Sequence, residues 1–280
     1  MADFLLGVLL DGFRTDVRTA LGLAARAGAQ GVQIYSTRGD MAPENLTARK
    51  RRELLDLVKS HGLVISALCG DLGGGGFTKP EKNAEKIARS KLILDLAKDL
   101  ETDVVTTHIG VVPGDPNHPR YRIMQEACGA LAEYADSVEA HFAIETGPET
   151  SAVLKGFLDS LGSRGVAVNL DPANLVMVTG DDPAGAVVTL KDYIVHTHAK
   201  DGRQNFFVDP DIVYGMVKSH IVTAASFEEV PLGEGQVDWD AYLNALRGIG
   251  YRGFLTVERE VGDQPYVDIA NAIAFLRGKI

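Results

Sequence analysis

Short apolar runs rich in β-branched residues alternate along the chain with longer segments of helical periodicity. The segments with helical spacing are rich in Ala, Leu, Glu, Lys and Arg, and they include residues 16–27, 47–60, 80–100 and 122–140. Eight runs are predicted as strands: residues 4–10, 31–35, 63–68, 103–107, 141–144, 166–170, 193–197 and 253–257. The pattern therefore predicts a regular alternation of strand and helix.

The spacing of these runs selects one α/β architecture. Each strand-plus-helix unit takes about 36 residues, which matches a βαβ unit of roughly 30 or more. Eight such units fill the chain, and the first strand is not followed by the GxGxxG of a dinucleotide-binding sheet. We therefore predict a single (β/α)8 TIM barrel with one domain over residues 1–280. The longest departure from the repeat, residues 202–231, is predicted to form a lid.

Composition narrows the classes of partner. The 280 residues are 45% hydrophobic and 24% charged, as in ordinary globular proteins, and the net charge of -10 works against binding to a nucleic-acid backbone. Cys69 and Cys128 form no CxxC, and the N-terminal segment carries an acid where a signal peptide would be basic. No apolar run reaches the roughly 18 residues of a membrane helix. These features predict a cytoplasmic protein without nucleic-acid or membrane partners.

Polar residues stand where the later predicted strands end. These residues are His108, Glu145, Asp171, His198 and Glu258. Because the active site of a TIM barrel lies at the carboxyl ends of its strands, the last inward-facing residue of each strand is a candidate. Alternation along each strand places these side chains toward the barrel mouth.

Three carboxylates in one barrel mouth would repel each other unless a cation neutralised them. Ordinary acids at loop starts are the alternative, but four strand ends in succession favour a metal site. The predicted ligands are Glu145, Asp171, His198 and Glu258. Three carboxylates, one imidazole and no cysteine fit one divalent ion with open positions, most simply Mn²⁺, with Mg²⁺, Co²⁺ or Zn²⁺ as alternatives.

Five short motifs together resemble the xylose isomerase-like TIM barrels, the sugar phosphate isomerase/epimerase family that includes ketose 3-epimerases and inosose dehydratase. The motifs are IETG at Glu145, NLDPANL at Asp171, HTHAKD at His198, PLGEGQVDW at residues 231–239 and TVERE at Glu258. The resemblance implies that these four residues bind one divalent metal. It also implies that Glu145 and Glu258 transfer protons, and that the protein forms a homo-oligomer, either a dimer or a tetramer.

Further candidates would contact a small sugar or polyol substrate. They are His108, Asn174, Lys200 and Glu234. Asn174 stands where the resemblance to free-ketose 3-epimerases would place a histidine, and HTHAKDGRQ replaces their HxHxGE sequence. The HxHxKD form is similar to the branch that contains inosose dehydratase, in which Lys200 would contact the substrate; an ion pair with a neighbouring acid is the alternative. His196 is predicted to support the site from the layer below.

The leading functional prediction is a metal-dependent isomerase or epimerase of a keto-sugar, sugar phosphate or keto-inositol. An inosose dehydratase-like lyase is the enzymatic alternative. A non-catalytic sugar-binding protein is disfavoured, because binding alone requires neither a metal nor two acids placed for proton transfer. Gly233 and Gly235 could offer backbone donors to a phosphate, so free and phosphorylated sugars both remain open.

Overall fold

Eight parallel strands close into a barrel in a computed structural model that describes residues 3–220 and 223–280. Each barrel strand pairs with the barrel strands that precede and follow it in sequence, and the last barrel strand pairs with the first. The barrel strands are β1 (Leu5–Leu9), β2 (Gly31–Tyr35), β3 (Val64–Cys69), β4 (Val104–Thr107), β5 (His141–Glu145), β6 (Val166–Leu170), β7 (Ile194–Ala199) and β10 (Phe254–Val257). Two further strands, β8 (Asp201–Gln204) and β9 (Phe227–Val230), form an antiparallel hairpin.

A helix follows each barrel strand and covers the outside of the barrel. Asp16, Thr47 and Thr150 begin three of these helices by accepting a hydrogen bond from a first-turn N–H. The helices are α1 (Val17–Ala27), α2 (Ala48–Ser60), α3 (Pro80–Asp99), α4 (Pro119–Ser137), α5 (Ser151–Leu161), α6 (Pro172–Asn174), α7 (Pro183–Thr189), α8 (Pro210–Val213), α9 (Trp239–Gly248) and α10 (Pro265–Arg277), of which α6 and α8 are single turns. Among the described residues, no helix combines the length and apolarity needed to cross a membrane.

The prediction of a (β/α)8 barrel is confirmed, and the eight predicted strands are the eight barrel strands within a few residues at each end. The main core lies between the strands and the helices, where large aliphatic side chains pack. Inside the barrel the core is small: Ala67, Val104, Ala143 and Ala167 pack with Val195. These small side chains leave room above them for the polar residues of the barrel mouth. The prediction of one domain over residues 1–280 stays a prediction.

A buried aspartate explains the PLGEGQVDW segment. Asp201 is fully buried at the start of β8, and its carboxylate accepts hydrogen bonds from Gly233 N at 2.9 Å and Trp239 Nε1 at 2.9 Å. It also accepts one from Val237 N at 3.2 Å. A Cβ on Gly235 would lie 1.9 Å from Asp201 Oδ1, so only glycine fits there. The segment therefore serves to fix the connection between the hairpin and α9.

The predicted lid, residues 202–231, folds back over the barrel mouth. Residues 221 and 222 of this insert lie outside the described residues. Arg120 at the start of α4 donates from Nη2 to both oxygens of Asp211, at 2.7 and 3.0 Å, which ties the insert to the barrel. Tyr214 and Phe227 of the insert line the cavity beneath it. The insert therefore forms part of the cavity wall.

Candidate metal centre and active-site cavity

A cavity of about 710 Å³ lies at the carboxyl ends of the barrel strands, between the barrel mouth and the insert. Its floor contains Glu145 and Glu258, and its walls mix acidic, aromatic and aliphatic side chains. A concave site with a few convergent polar groups is typical of a small-molecule binding site. The cavity therefore lies where the sequence predicts the active site.

Four buried side chains converge at the bottom of this cavity: Glu145 and Glu258 line its floor, and Asp171 and His198 are buried behind them. Glu145, Asp171, His198 and Glu258 each offer one ligand atom, and these atoms all lie within 4.8 Å of one another. His198 Nδ1 lies 3.3 Å from Glu258 Oε2, 3.4 Å from Asp171 Oδ2 and 3.6 Å from Glu145 Oε1. The structure therefore brings together the four residues that the sequence predicts as metal ligands.

Strand register determines which histidine reaches the cluster. The pairing of β6 with β7 shifts between Val168 and Asn169, so that His196 rather than Val195 lies opposite Asn169. Such a bulge re-aims the side chains that follow it. His196 and His198 are consequently buried inside the barrel, one layer apart.

The carboxylate of Asp171 is only half satisfied by protein. Its Oδ1 accepts a hydrogen bond from Asn174 N at 2.9 Å, which caps the short helix α6. Its Oδ2 is buried, accepts no hydrogen bond, and points at the cluster. Because a buried carboxylate oxygen normally has a partner, this atom fits a metal ligand.

The cluster also attracts positive charge. Burial opposes the charged form of His198, but Glu258 and Glu145 outweigh it and raise the pKa of this histidine well above its ordinary value. Burial raises the pKa of Asp171, and the neighbouring carboxylates add to that effect. Three oxygen donors and one imidazole around a centre that stabilises a cation are consistent with a divalent metal site.

Gln33 orients the imidazole of His198, and the sequence reasoning missed it. Gln33 Nε2 donates to Thr106 Oγ1 at 2.7 Å, so its Oε1 faces His198 Nε2 at 2.9 Å. Since an amide oxygen only accepts, the neutral ring carries its proton on Nε2, and Nδ1, which faces the three carboxylates, is the nitrogen that would bind a metal. A glutamine in the middle of the otherwise apolar run GVQIY was the available signal.

Neutral His196 continues this network below the cluster. Its Nδ1 contacts Asn169 Oδ1 at 2.8 Å, and its Nε2 contacts Thr256 Oγ1 at 2.9 Å. Burial, with a further contribution from His198, lowers the pKa of His196 well below its ordinary value. Asn169 in turn donates to Glu145 Oε2 at 3.1 Å. His196 therefore supports a ligand through Asn169, the supporting role predicted from the sequence.

We expect Gln33→Leu to weaken Mn²⁺ binding by about 10- to 100-fold, because the His198 ring loses the partner that sets its tautomer and orientation. Calorimetric titration of the folded protein with Mn²⁺ measures the affinity, and circular dichroism checks folding. Gln264→Leu, at an exposed position before α10, is the matched control. Equal affinities of the two variants would show that Gln33 does not position the imidazole.

Three of the four predicted substrate contacts line the cavity. Asn174 also donates to Glu145 Oε1 at 3.0 Å, and His108 Nε2 lies 3.7 Å from the same oxygen. Lys200 is buried and donates to Glu258 Oε2 at 3.0 Å and Glu260 Oε2 at 2.7 Å. These contacts correspond to the ion pair that the sequence left as the alternative for Lys200.

Glu234 is the predicted site residue that the structure does not bring to this cavity. It is exposed, and it lines a separate, smaller cavity beside Asp268. The reason is the set of hydrogen bonds to Asp201, which holds the segment around Glu234 outside the barrel mouth. The cavity instead contains Asp71, Tyr214 and Phe227, which were not predicted. Asp71 and Tyr214 lie in loops, where no periodic pattern shows which way a side chain points, and Phe227 begins β9 in the insert, which was not predicted as a strand.

Solved structures with the same fold are similar over nearly the whole chain. A xylose isomerase domain protein from Planctomyces limnophilus is 24% identical, with 98% of this chain and 96% of that chain covered and a TM-score of 0.79. The probable 3-DHS dehydratase AsbF from Bacillus anthracis is 19% identical, with coverage of 98% and 99% and a TM-score of 0.73. The 3-keto-D-glucoside 4-epimerase YcjR from E. coli is 15% identical, with coverage of 99% and 100% and a TM-score of 0.72.

At this level of identity the solved structures establish the fold, and the family rests on a direct sequence match. No curated protein sequence matches the chain. The family model described as xylose isomerase-like TIM barrel matches residues 21–279. The match spans all of the barrel strands except β1 and all four residues of the buried cluster. The chain therefore belongs to the xylose isomerase-like TIM barrel family.

Proposed function

We propose that the protein is an isomerase or epimerase of a keto-sugar, sugar phosphate or keto-inositol that depends on one divalent metal, most simply Mn²⁺. The buried cluster of Glu145, Asp171, His198 and Glu258 at the cavity floor carries this proposal. When bound, the metal would polarise a substrate carbonyl and acidify the neighbouring C–H. The chain would supply the groups that move the proton.

Two of the four ligands would act as proton-transfer groups. Glu145 ends β5 and Glu258 follows β10, and β6 and β7 lie between these strands in the barrel. The two carboxylates therefore reach the cluster from opposite flanks, with Asp171 and His198 between them. A substrate held between the flanks would present one face of its reacting carbon to each glutamate.

Proton transfer between these faces gives either reaction outcome. One glutamate removes the proton beside the carbonyl, and the other returns a proton to the opposite face, which inverts the carbon. Return of the proton to the adjacent carbon gives an isomer instead. Glu145 is held by Asn174 and Asn169, and Glu258 is held by Lys200, so both carboxylates are fixed in position before the substrate binds.

Dehydration of a keto-polyol is the second candidate, and Lys200 favours it. Its ammonium group lies on the cavity wall, 3.0 Å from Glu258. Burial lowers the pKa of Lys200, but the neighbouring carboxylates of Glu258, Asp171 and Glu260 outweigh burial, and the pKa is raised well above its ordinary value. A charged ammonium beside a proton-transfer glutamate could protonate a departing hydroxyl. One structural relative is described as a probable 3-DHS dehydratase.

We expect the Mn²⁺-loaded protein to introduce solvent deuterium beside the carbonyl of its substrate in D2O, and the product to keep the mass of the substrate apart from that deuterium. Mass spectrometry of products from a ketose and keto-inositol panel checks this result. A product that has lost water would support the dehydratase. A product formed without solvent deuterium would contradict proton transfer and indicate a hydride shift.

A homo-oligomer, either a dimer or a tetramer, and a cytoplasmic location stay predictions.

A further inference from the structure

We infer that the substrate carries no phosphate or carboxylate group and is an uncharged polyol with a ketone. This inference rests on the proposed function and narrows its substrate class. The sequence left free and phosphorylated sugars open, whereas the charges and hydrogen bonds around the cavity distinguish them.

The wall of the cavity is strongly acidic. Among its described lining residues, six are carboxylic acids and one, Lys200, carries an ammonium group; the acids are Asp71, Glu145, Glu228, Glu229, Glu258 and Glu260. A divalent ion at the cluster would offset two of the three ligand carboxylates. Of the remaining acids, Glu228 and Glu229 form ion pairs with Arg203 and Arg259. Asp71, and Glu260, which shares Lys200 with Glu258, would face the rest of the substrate and repel a phosphate dianion.

Among the described lining residues, no cation is free to hold an anion. The Lys200 ammonium donates to Glu258 and Glu260, so an approaching phosphate would compete with two carboxylates for it. Arg259 lies behind the wall and binds Glu229 Oε1 at 2.5 Å. Lys218 of the insert is exposed and is not among the lining residues. Residues 221 and 222 of the insert lie outside the described part of the chain, and by sequence they are Ile and Val, which carry no charge.

Of the two backbone donors that the sequence suggested for a phosphate, Gly233 N is already used, and Gly235 lies beside the carboxylate that accepts from it. Gly233 N donates to Asp201 Oδ2 at 2.9 Å, and the Cα of Gly235 lies against the same carboxylate. A phosphate at this position would have to displace a fully buried aspartate that also binds Trp239 Nε1. The Gly233 N–H is therefore not available to a phosphate unless the Asp201 carboxylate is displaced.

The same wall suits a polyol. Carboxylates such as Asp71 and Glu260 accept hydrogen bonds from hydroxyl groups, and neither needs a charged ligand to do so. Tyr214 and Phe227 on the insert add aromatic surface against which the C–H faces of a sugar can pack. Anion rejection and hydroxyl recognition then come from the same residues.

The test compares matched pairs on the Mn²⁺-loaded protein. The probes are D-fructose and D-psicose against D-fructose 6-phosphate and D-psicose 6-phosphate, with 2-keto-myo-inositol as a second uncharged class. Calorimetry measures binding, and deuterium incorporation in D2O measures turnover. We expect each uncharged ketose to bind at least about tenfold more tightly than its phosphate, and added salt to narrow this difference because it screens the wall.

A charge-neutralising variant separates electrostatic rejection from a lack of space. Asp71→Asn keeps the amide oxygen that can accept from Gly73 N, a bond of 2.8 Å to Asp71 Oδ1 in the wild type. We expect it to improve binding of the phosphates several-fold while the uncharged ketoses change less. Asp192→Asn makes the same charge change at an exposed position before β7, at the opposite end of the barrel, and is the control.

The outcomes separate this inference from the proposed function. Deuterium exchange into the phosphorylated ketoses alone would overturn the inference and leave the proposed proton transfer standing. Preferential binding of uncharged ketoses or 2-keto-myo-inositol without exchange would support the inference and contradict the proposed function. Equal binding of both members of each pair, or no binding by any uncharged probe, would overturn the inference.

Discussion

Replacing Glu258 with glutamine is expected to lower turnover by at least about 1000-fold, because the amide cannot accept or return the substrate proton. Glu258 is buried at the cavity floor, and its Oε2 lies 3.3 Å from His198 Nδ1 and 3.0 Å from Lys200 Nζ. The substitution nearly preserves shape and keeps one oxygen to face the cluster. Turnover measured at saturating Mn²⁺ then isolates the proton-transfer role from weakened metal binding.

Glu133→Gln is the matched control for this experiment, since Glu133 is exposed on the outer face of α4. We expect it to leave turnover unchanged. If excess Mn²⁺ restored wild-type activity to Glu258→Gln, Glu258 would be only a metal ligand. Glu260, which binds Lys200 from beyond the strand end, would then be the next carboxylate to test as the base.

Asp171→Asn is expected to lower both metal occupancy and activity by at least about 100-fold. Asp171 Oδ2 is a buried oxygen that accepts no hydrogen bond from any described group and faces the cluster, and the substitution removes the charge of this carboxylate. Asparagine can still accept the hydrogen bond from Asn174 N that caps α6, so the fold around the site should persist. Metal analysis after dialysis and steady-state turnover measure the two effects.

Thermal unfolding supplies a readout of the same site that does not depend on activity. A ligand held at 100 times its dissociation constant stabilises the native state by about 2.7 kcal/mol, so Mn²⁺ should raise the melting temperature of the wild type and chelation should reverse the rise. This rise should disappear in Asp171→Asn and persist in Asp192→Asn. Wild-type metal content, activity and melting behaviour in both Asp171→Asn and His198→Ala would refute the metal centre.

The barrel and its four-residue cluster could be predicted because they depend on local periodicity. Strand and helix repeat at about 36 residues, and eight such units fill the chain. Eight strand-plus-helix units are what a closed (β/α)8 barrel requires. Alternation along each strand then places Glu145, Asp171, His198 and Glu258 on one inward surface. The prediction used no long-range contact, although the register shift between β6 and β7 sets where His196 and His198 finally lie.

The partners of these side chains could not be predicted, because they come from parts of the chain far apart in sequence. Gln33 and His198 are 165 positions apart, and nothing near Gln33 shows that its amide will set an imidazole tautomer on β7. Lys200 fits substrate contact and ion pairing equally well until Glu258 and Glu260 are placed beside it. Such pairings depend on closure of the barrel.

Loop residues show the same division most clearly. By sequence, Gly233, Gly235 and Glu234 stand where a TIM barrel binds phosphate or substrate. In the folded chain the buried carboxylate of Asp201 accepts a hydrogen bond from Gly233 N, and Glu234 lies at a separate cavity. The sequence by itself thus determined the barrel and its four buried ligands, since strand period and strand ends are local properties. Only the tertiary structure decided the charge and hydrogen-bond partners of the cavity wall, because those follow from which loops meet when the barrel closes.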